Sequence, residues 1–141
     1  GGLVATIVMT IVMMGLQRAM GESSPPPTAA LWAQYVADGE PEDFAMQGMV
    51  LHLLYGITAG IVFVAVTSPL YLGLVTFGTL AMAVVWGLVY AVVLFVIGAV
   101  LWLMIVLGIQ PDVQGAVGFL INHLVYGIVL GAWVATGPLG L

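Results

Sequence analysis

The chain has 141 residues, 63% of them hydrophobic and 5% charged, with Arg18 as its single basic residue against six acids, for a net charge of −5. Soluble domains carry about 25% charged residues, so a chain this poor in charge cannot clothe its surface in water and must be an integral membrane protein. One cation excludes nucleic-acid binding and a polybasic grip on anionic lipid, and the lack of Cys excludes disulfides, thiolate chemistry and Cys-ligated metal centres.

The first apolar run, Leu3 to Met20, matches the ~20 residues that one spanning helix needs. It opens without a Met, so we expect a preceding segment to have been removed. The run lacks a basic leader, and Met20-Gly21-Glu22 is a poor cleavage site, so we expect a mature span rather than a secretory signal.

Gly21 to Asp43 is the one extended hydrophilic stretch and holds Glu22, Asp38, Glu40, Glu42 and Asp43. Pro25-Pro26-Pro27 sets a polyproline-type spacer. Thr28 is placed to cap a short helix over Ala29 to Ala37, whose Leu31, Trp32, Tyr35 and Val36 suit the membrane–water boundary. Asp38-Gly39-Glu40-Pro41 ends it, and Glu42 and Asp43 fall at the start of the next helix, where negative charge offsets the dipole.

The second span is expected over about 45–66, stopped by Ser68-Pro69, and the last over about 114–134, after the polar turn Gln110-Pro111-Asp112. Between them, Leu70 to Ile109 carries no charge and would reach about 60 Å as one helix, against a hydrocarbon core of about 30 Å. Either one long helix occupies about 78–107 after a partly buried approach, or two helices turn near Trp86-Gly87, which would then lie at an interface. Four spans is the expected count, about 3–20, 45–66, 78–107 and 114–134, joined by an acidic interfacial loop over 21–44; five is the alternative. The fold class is therefore all-α, a polytopic membrane helix bundle in one transmembrane domain, residues 1–141. Orientation is unreadable from one Arg.

The strongest pattern is an internal repeat. His52-Leu53-Leu54-Tyr55-Gly56-Ile57-Thr58-Ala59-Gly60 matches His123-Leu124-Val125-Tyr126-Gly127-Ile128-Val129-Leu130-Gly131 in register, which predicts two helices in equivalent places of a pseudo-symmetric bundle. His and the two glycines stand at i, i+4 and i+8, on one stripe. Gly56, Gly60, Gly127 and Gly131 are thus candidate helix-packing residues, and His52 and His123 should face the bundle interior. The first reading of the histidines is neutral rings hydrogen-bonded to a carbonyl, Asn122, Thr58 or a Tyr hydroxyl across the interface, with no cofactor. The alternative is haem b ligated by His52 and His123. A four-span topology makes the motif helices parallel and lets one haem bridge them; a five-span topology hinders it. A proton relay or other ligand ranks below both.

No Asp or Glu falls inside an expected span, and no nucleotide-loop, metalloprotease or triad pattern is present. The expectation is a protein that is not an enzyme. The scattered methionines read as lipid-facing side chains rather than copper ligands.

Gly2 to Met14 (GLVATIVMTIVMM), the two His repeats (HLLYGITAG and HLVYGIVLG) and Gly87 to Met104 (GLVYAVVLFVIGAVLWLM) resemble the YagU-like family of small multi-pass membrane proteins. The loop GESSPPPTAALWAQYVADGEPEDFAMQGMVLH resembles its halophilic-archaeal branch. The resemblance implies a non-enzymatic, multi-pass protein of the cell membrane, with the lipid bilayer and larger membrane subunits as partners. It also implies an accessory or structural role, with a respiratory oxidase as the expected complex; a haem b electron carrier is the alternative.

Overall fold

The computed structural model describes residues 1–21, 24–67 and 79–136. The Ser68-Pro69 stop and the approach from Leu70 to Gly78 lie outside the described residues, as does Glu22. Among the described residues the elements are helices: α1 (Gly2–Ala19), α2 (Pro27–Tyr35), α3 (Ala45–Thr67), α4 (Leu80–Val96) and α5 (Val113–Thr136). One 3-10 turn, Pro41–Phe44, leads into α3, and α4 continues as a π-helical segment, Ile97–Val106. Four of these runs are long and apolar enough to cross a membrane. The helix passes straight through Trp86-Gly87, where a fifth span would have required a turn.

α2 starts earlier than its expected Ala29 to Ala37, and Thr28 is not its cap. Pro26 holds the cap position in extended backbone and Pro27 takes the first turn. A proline there has no N–H to satisfy, so the end needs less capping. The Thr28 hydroxyl instead donates to the Gly48 carbonyl of α3 at 2.5 Å. Gly48 packs directly on the Ala29 backbone, which fixes α2 across the start of α3.

The helix directions follow from contacts. Gly1 lies against Leu130 and Trp133, whereas Gln114 Nε2 donates to the Met20 sulfur at the other end of α1; α1 is antiparallel to α5. Gly2 meets Gly60 while Thr6 meets Gly56, so α1 is antiparallel to α3 as well. Ala83 meets Gly131 and Ala91 meets Gly127, so α4 opposes α5. The two motif helices α3 and α5 therefore run parallel. Arg18, the acids of the 38–43 loop and Asp112 all gather at one end of the bundle.

These contacts extend the repeat. Gly2 stands to Gly56 and Gly60 as Gly87 stands to Gly127 and Gly131, and Thr6 stands to Gly56 as Ala91 does to Gly127. Aligned on that basis, Gly2-Leu3-Val4 of α1 coincides with Gly87-Leu88-Val89 of α4. The unit is a helical hairpin used twice, α1 with α3 and α4 with α5. A Cβ on Gly56 would overlap the Thr6 hydroxyl, and one on Gly127 the Gly87 carbonyl, so the glycine stripe sets backbone-to-backbone approach within each hairpin.

The two seams between hairpins are not alike. At the α1–α5 seam stands Ala5, fully buried with Leu130. Its counterpart at the α3–α4 seam is Tyr90, whose ring packs on Phe63 with centroids 5.2 Å apart and whose hydroxyl donates to the Ala59 carbonyl at 2.8 Å. A methyl lets helices close; a tyrosine spaces them. The first seam is packed, and the second is propped open toward the charged end.

Candidate functional site

The open seam holds a cavity of about 340 Å³, lined by α3 (His52, Leu54, Tyr55, Thr58), α5 (Asn122, His123, Tyr126), the π segment, α1 (Met9, Met13) and the first turn of α2. Such a volume falls in the range of small-molecule pockets. His52 and His123 lie in the halves of α3 and α5 nearer the charged end, roughly 10–15 Å along the axis from the helix starts.

The winding of the π segment supplies one wall. The Leu107 N–H bonds the Trp102 carbonyl, five residues back, so the helix turns about every 4.4 residues rather than 3.6. Gly98, Trp102 or Leu103, and Leu107 thus share one face, and all four line the cavity. Ordinary α winding would turn Leu107 away from Gly98. The bare face of Gly98 lets the Phe119 ring and His123 Nε2 approach.

The two histidines, equivalent in sequence, are differently held. His123 is 7% exposed, and its Nδ1 lies 2.8 Å from the Phe119 carbonyl of its own helix. A carbonyl only accepts, so Nδ1 carries the proton and the Nε2 of the neutral ring is a free acceptor. Phe119 and Phe95 pack edge-on against the ring, with centroids at 4.4 and 6.2 Å. In α3 the corresponding carbonyl, Gly48, is occupied by Thr28, and His52 Nε2 is buried without a hydrogen-bond partner among the described residues. Asn122 Oδ1 is buried and unpartnered in the same way. Both rings line the same cavity. Of the expected partners, His123 takes a carbonyl, that of Phe119 in its own helix, while among the described residues neither ring bonds Asn122, Thr58 or a Tyr hydroxyl: Thr58 bonds the Leu54 carbonyl and Tyr126 the Gly56 carbonyl at 2.6 Å.

α2 closes the charged end of the seam. It is fastened to α3 through Thr28 and to the end of the π segment through the Tyr35 hydroxyl, which donates to the Val106 carbonyl at 2.9 Å. Sideways the cavity meets the bilayer, since its wall residues Leu54 and Trp102 are 53% and 37% exposed.

We compared the chain with protein-family models, curated proteins and solved structures. It matches none of them. Of the residues singled out in the sequence, the structure brings His52, His123 and Gly56 to one cavity, and it places Gly60, Gly127 and Gly131 in the hairpin interfaces. Tyr90, Gly98 and α2 were not singled out as parts of one site, and Asn122 was named only as a hydrogen-bond partner for the rings. The polarity of Asn122 beside His123, inside an apolar run, was the available signal.

Proposed function

We propose that this protein is a membrane-embedded binding protein that stations a small lipid-soluble guest in the α3–α4 seam and does not transform it. The observation that carries this is the seam itself: one of two equivalent helix seams is held open around buried polar atoms that lack partners among the described residues, with a side facing the bilayer. Leaving such atoms unpaired costs about 1–3 kcal/mol each, a cost that a bound guest removes. The test is extraction and mass spectrometry of the protein purified in mild detergent, beside a Thr58→Trp variant. Thr58 is exposed and lines the cavity, so the indole fills the mouth without touching the core. We expect one near-stoichiometric small molecule in the parent and its loss in the variant. Absence of any guest above the detergent blank overturns the reading.

A second reading, haem b held by His52 and His123, is favoured by one specific observation. The Nδ1 of His123 is anchored on a carbonyl, as in most metal-ligating histidines, which leaves Nε2 toward the cavity that also holds the unpartnered Nε2 of His52. A dithionite-reduced minus air-oxidised visible spectrum decides it. Haem bands that vanish in His52→Ala and His123→Ala support it, and a flat spectrum removes it.

The wider role, accessory subunit of a larger membrane complex such as a respiratory oxidase, belongs to the same proposal. The resemblance to the YagU-like family supports it, while the glycine stripes, used within the chain, do not add to it. Co-purification with other subunits is the expected outcome, and a monodisperse monomer in several mild detergents counts against it.

A further inference from the structure

We infer that α2 is a latched lid over the charged end of the cavity. Its latch is the Gly48 carbonyl, taken by the Thr28 hydroxyl when the lid is down and by the His52 ring when it lifts. What the lid lets in or out rests on the guest-binding reading above; the latch does not.

The internal repeat identifies the latch. Gly48 stands four residues before His52 as Phe119 stands before His123. A carbonyl has two lone pairs, and inside a helix one of them serves the N–H four residues on. One acceptor position is left. In α5 the His123 ring takes it, through Nδ1 at 2.8 Å. In α3 the Thr28 hydroxyl takes it at 2.5 Å, and His52 Nε2 is left buried without a partner among the described residues. Thr28 and His52 therefore compete for one site. α2 also takes the room that a side chain fills in the other motif helix. Phe119 carries a ring against His123, whereas a Cβ on Gly48 would run into the backbone of Ala29.

The attachment of α2 is light enough to open. Of its nine residues only Ala29 is fully buried. Its hydrogen bonds to the spans, among the described residues, are that of Thr28 and that of the exposed Tyr35 hydroxyl to the Val106 carbonyl. Segments with so few buried contacts open at a small part of the global unfolding free energy. Pro27, Thr28 and Leu31 line the cavity, so lifting α2 uncovers it to water at the charged end. Helical side chains lean back over the preceding turn, so the His52 ring reaches the carbonyl that Thr28 gives up. That bond lowers the cost of opening.

The test uses the full chain in nanodiscs, where Leu31→Cys supplies a single thiol beneath the lid. Its labelling rate by a water-soluble maleimide, relative to that of the exposed Asp38→Cys, reads the opening. One hydrogen bond corresponds to roughly a two- to tenfold change. Adding Thr28→Val should raise the Leu31→Cys rate by that factor. Adding His52→Phe, which keeps a ring but cannot bond the carbonyl, should lower it by a similar factor. The two together should bring it back toward the reporter alone. Nitrogen-15 NMR of the histidines gives an independent reading: in Thr28→Val, His52 should take up the Nδ1–H form that His123 holds. No acceleration in Thr28→Val, no slowing in His52→Phe, or an unchanged His52 signal in Thr28→Val overturns the inference. None of these outcomes needs a guest, so extraction and mass spectrometry read the binding proposal separately.

Discussion

Gly127 and Gly118 lie on the same helix and would look interchangeable to any propensity scale. A Cβ at Gly127 runs into the Gly87 backbone carbonyl, whereas one at Gly118 meets nothing within 4 Å. Backbone cannot rotate away as a side chain can. Gly127→Ala is therefore expected to destabilise the detergent-solubilised protein by about 1–3 kcal/mol, while Gly118→Ala should be neutral or gain up to about 1 kcal/mol of helix propensity. Thermal unfolding followed by circular dichroism separates the two. Equal effects would mean that the hairpin contact is looser than described. At this scale the sequence was partly legible: the repeated His-xxx-Gly-xxx-Gly spacing drew attention to Gly127, whose bare face lies against the Gly87 carbonyl. It could not tell His52 from His123, because their difference comes from a residue on another element, Thr28, taking the carbonyl that would hold the first ring.

At the level of elements, Tyr90 acts as a spacer between α3 and α4. Tyr90→Phe removes the bond to the Ala59 carbonyl, worth about 0.5–1.5 kcal/mol, yet keeps the ring that separates the helices, so the guest should still co-purify. Tyr90→Ala should cost about 3–5 kcal/mol and let α4 settle onto α3, with loss of the guest. Retention of the guest in the Ala variant would show that something other than Tyr90 holds the seam apart. The spans themselves were readable, since length and hydropathy alone mark a crossing helix. The spacer was not, because its meaning lies in comparison with Ala5, its counterpart in a helix that shares only Gly-Leu-Val with α4 at the matching place. The π winding was equally hidden: an unbroken apolar run such as Ile97 to Val106 reads the same at 3.6 or at about 4.4 residues per turn.

For the whole molecule, two helical hairpins with the same direction through the membrane predict a definite sidedness. The chain has no Cys, so single substitutions give clean reporters. A membrane-impermeant maleimide should label Ser24→Cys and Asp112→Cys from one face of sealed vesicles, and Thr79→Cys and Thr136→Cys from the other. Labelling of Ser24 and Asp112 from opposite faces would rule out four crossings.

The gathering of Arg18, the 38–43 acids and Asp112 at one end also governs how the molecule rides in lipid. That end is moored: its charges stay in water, and α2 lies across it. The described residues of the opposite end, around Gly1, Thr67, Thr79 and Thr136, carry no charged side chain. When the bilayer thickens or thins, the adjustment falls more easily on the end whose described side chains carry no charge, which can sink or rise at modest cost. The moored half, where the cavity lies, keeps its depth. A bound guest would thus sit at a fixed distance from one membrane surface, whatever the thickness of the bilayer around it.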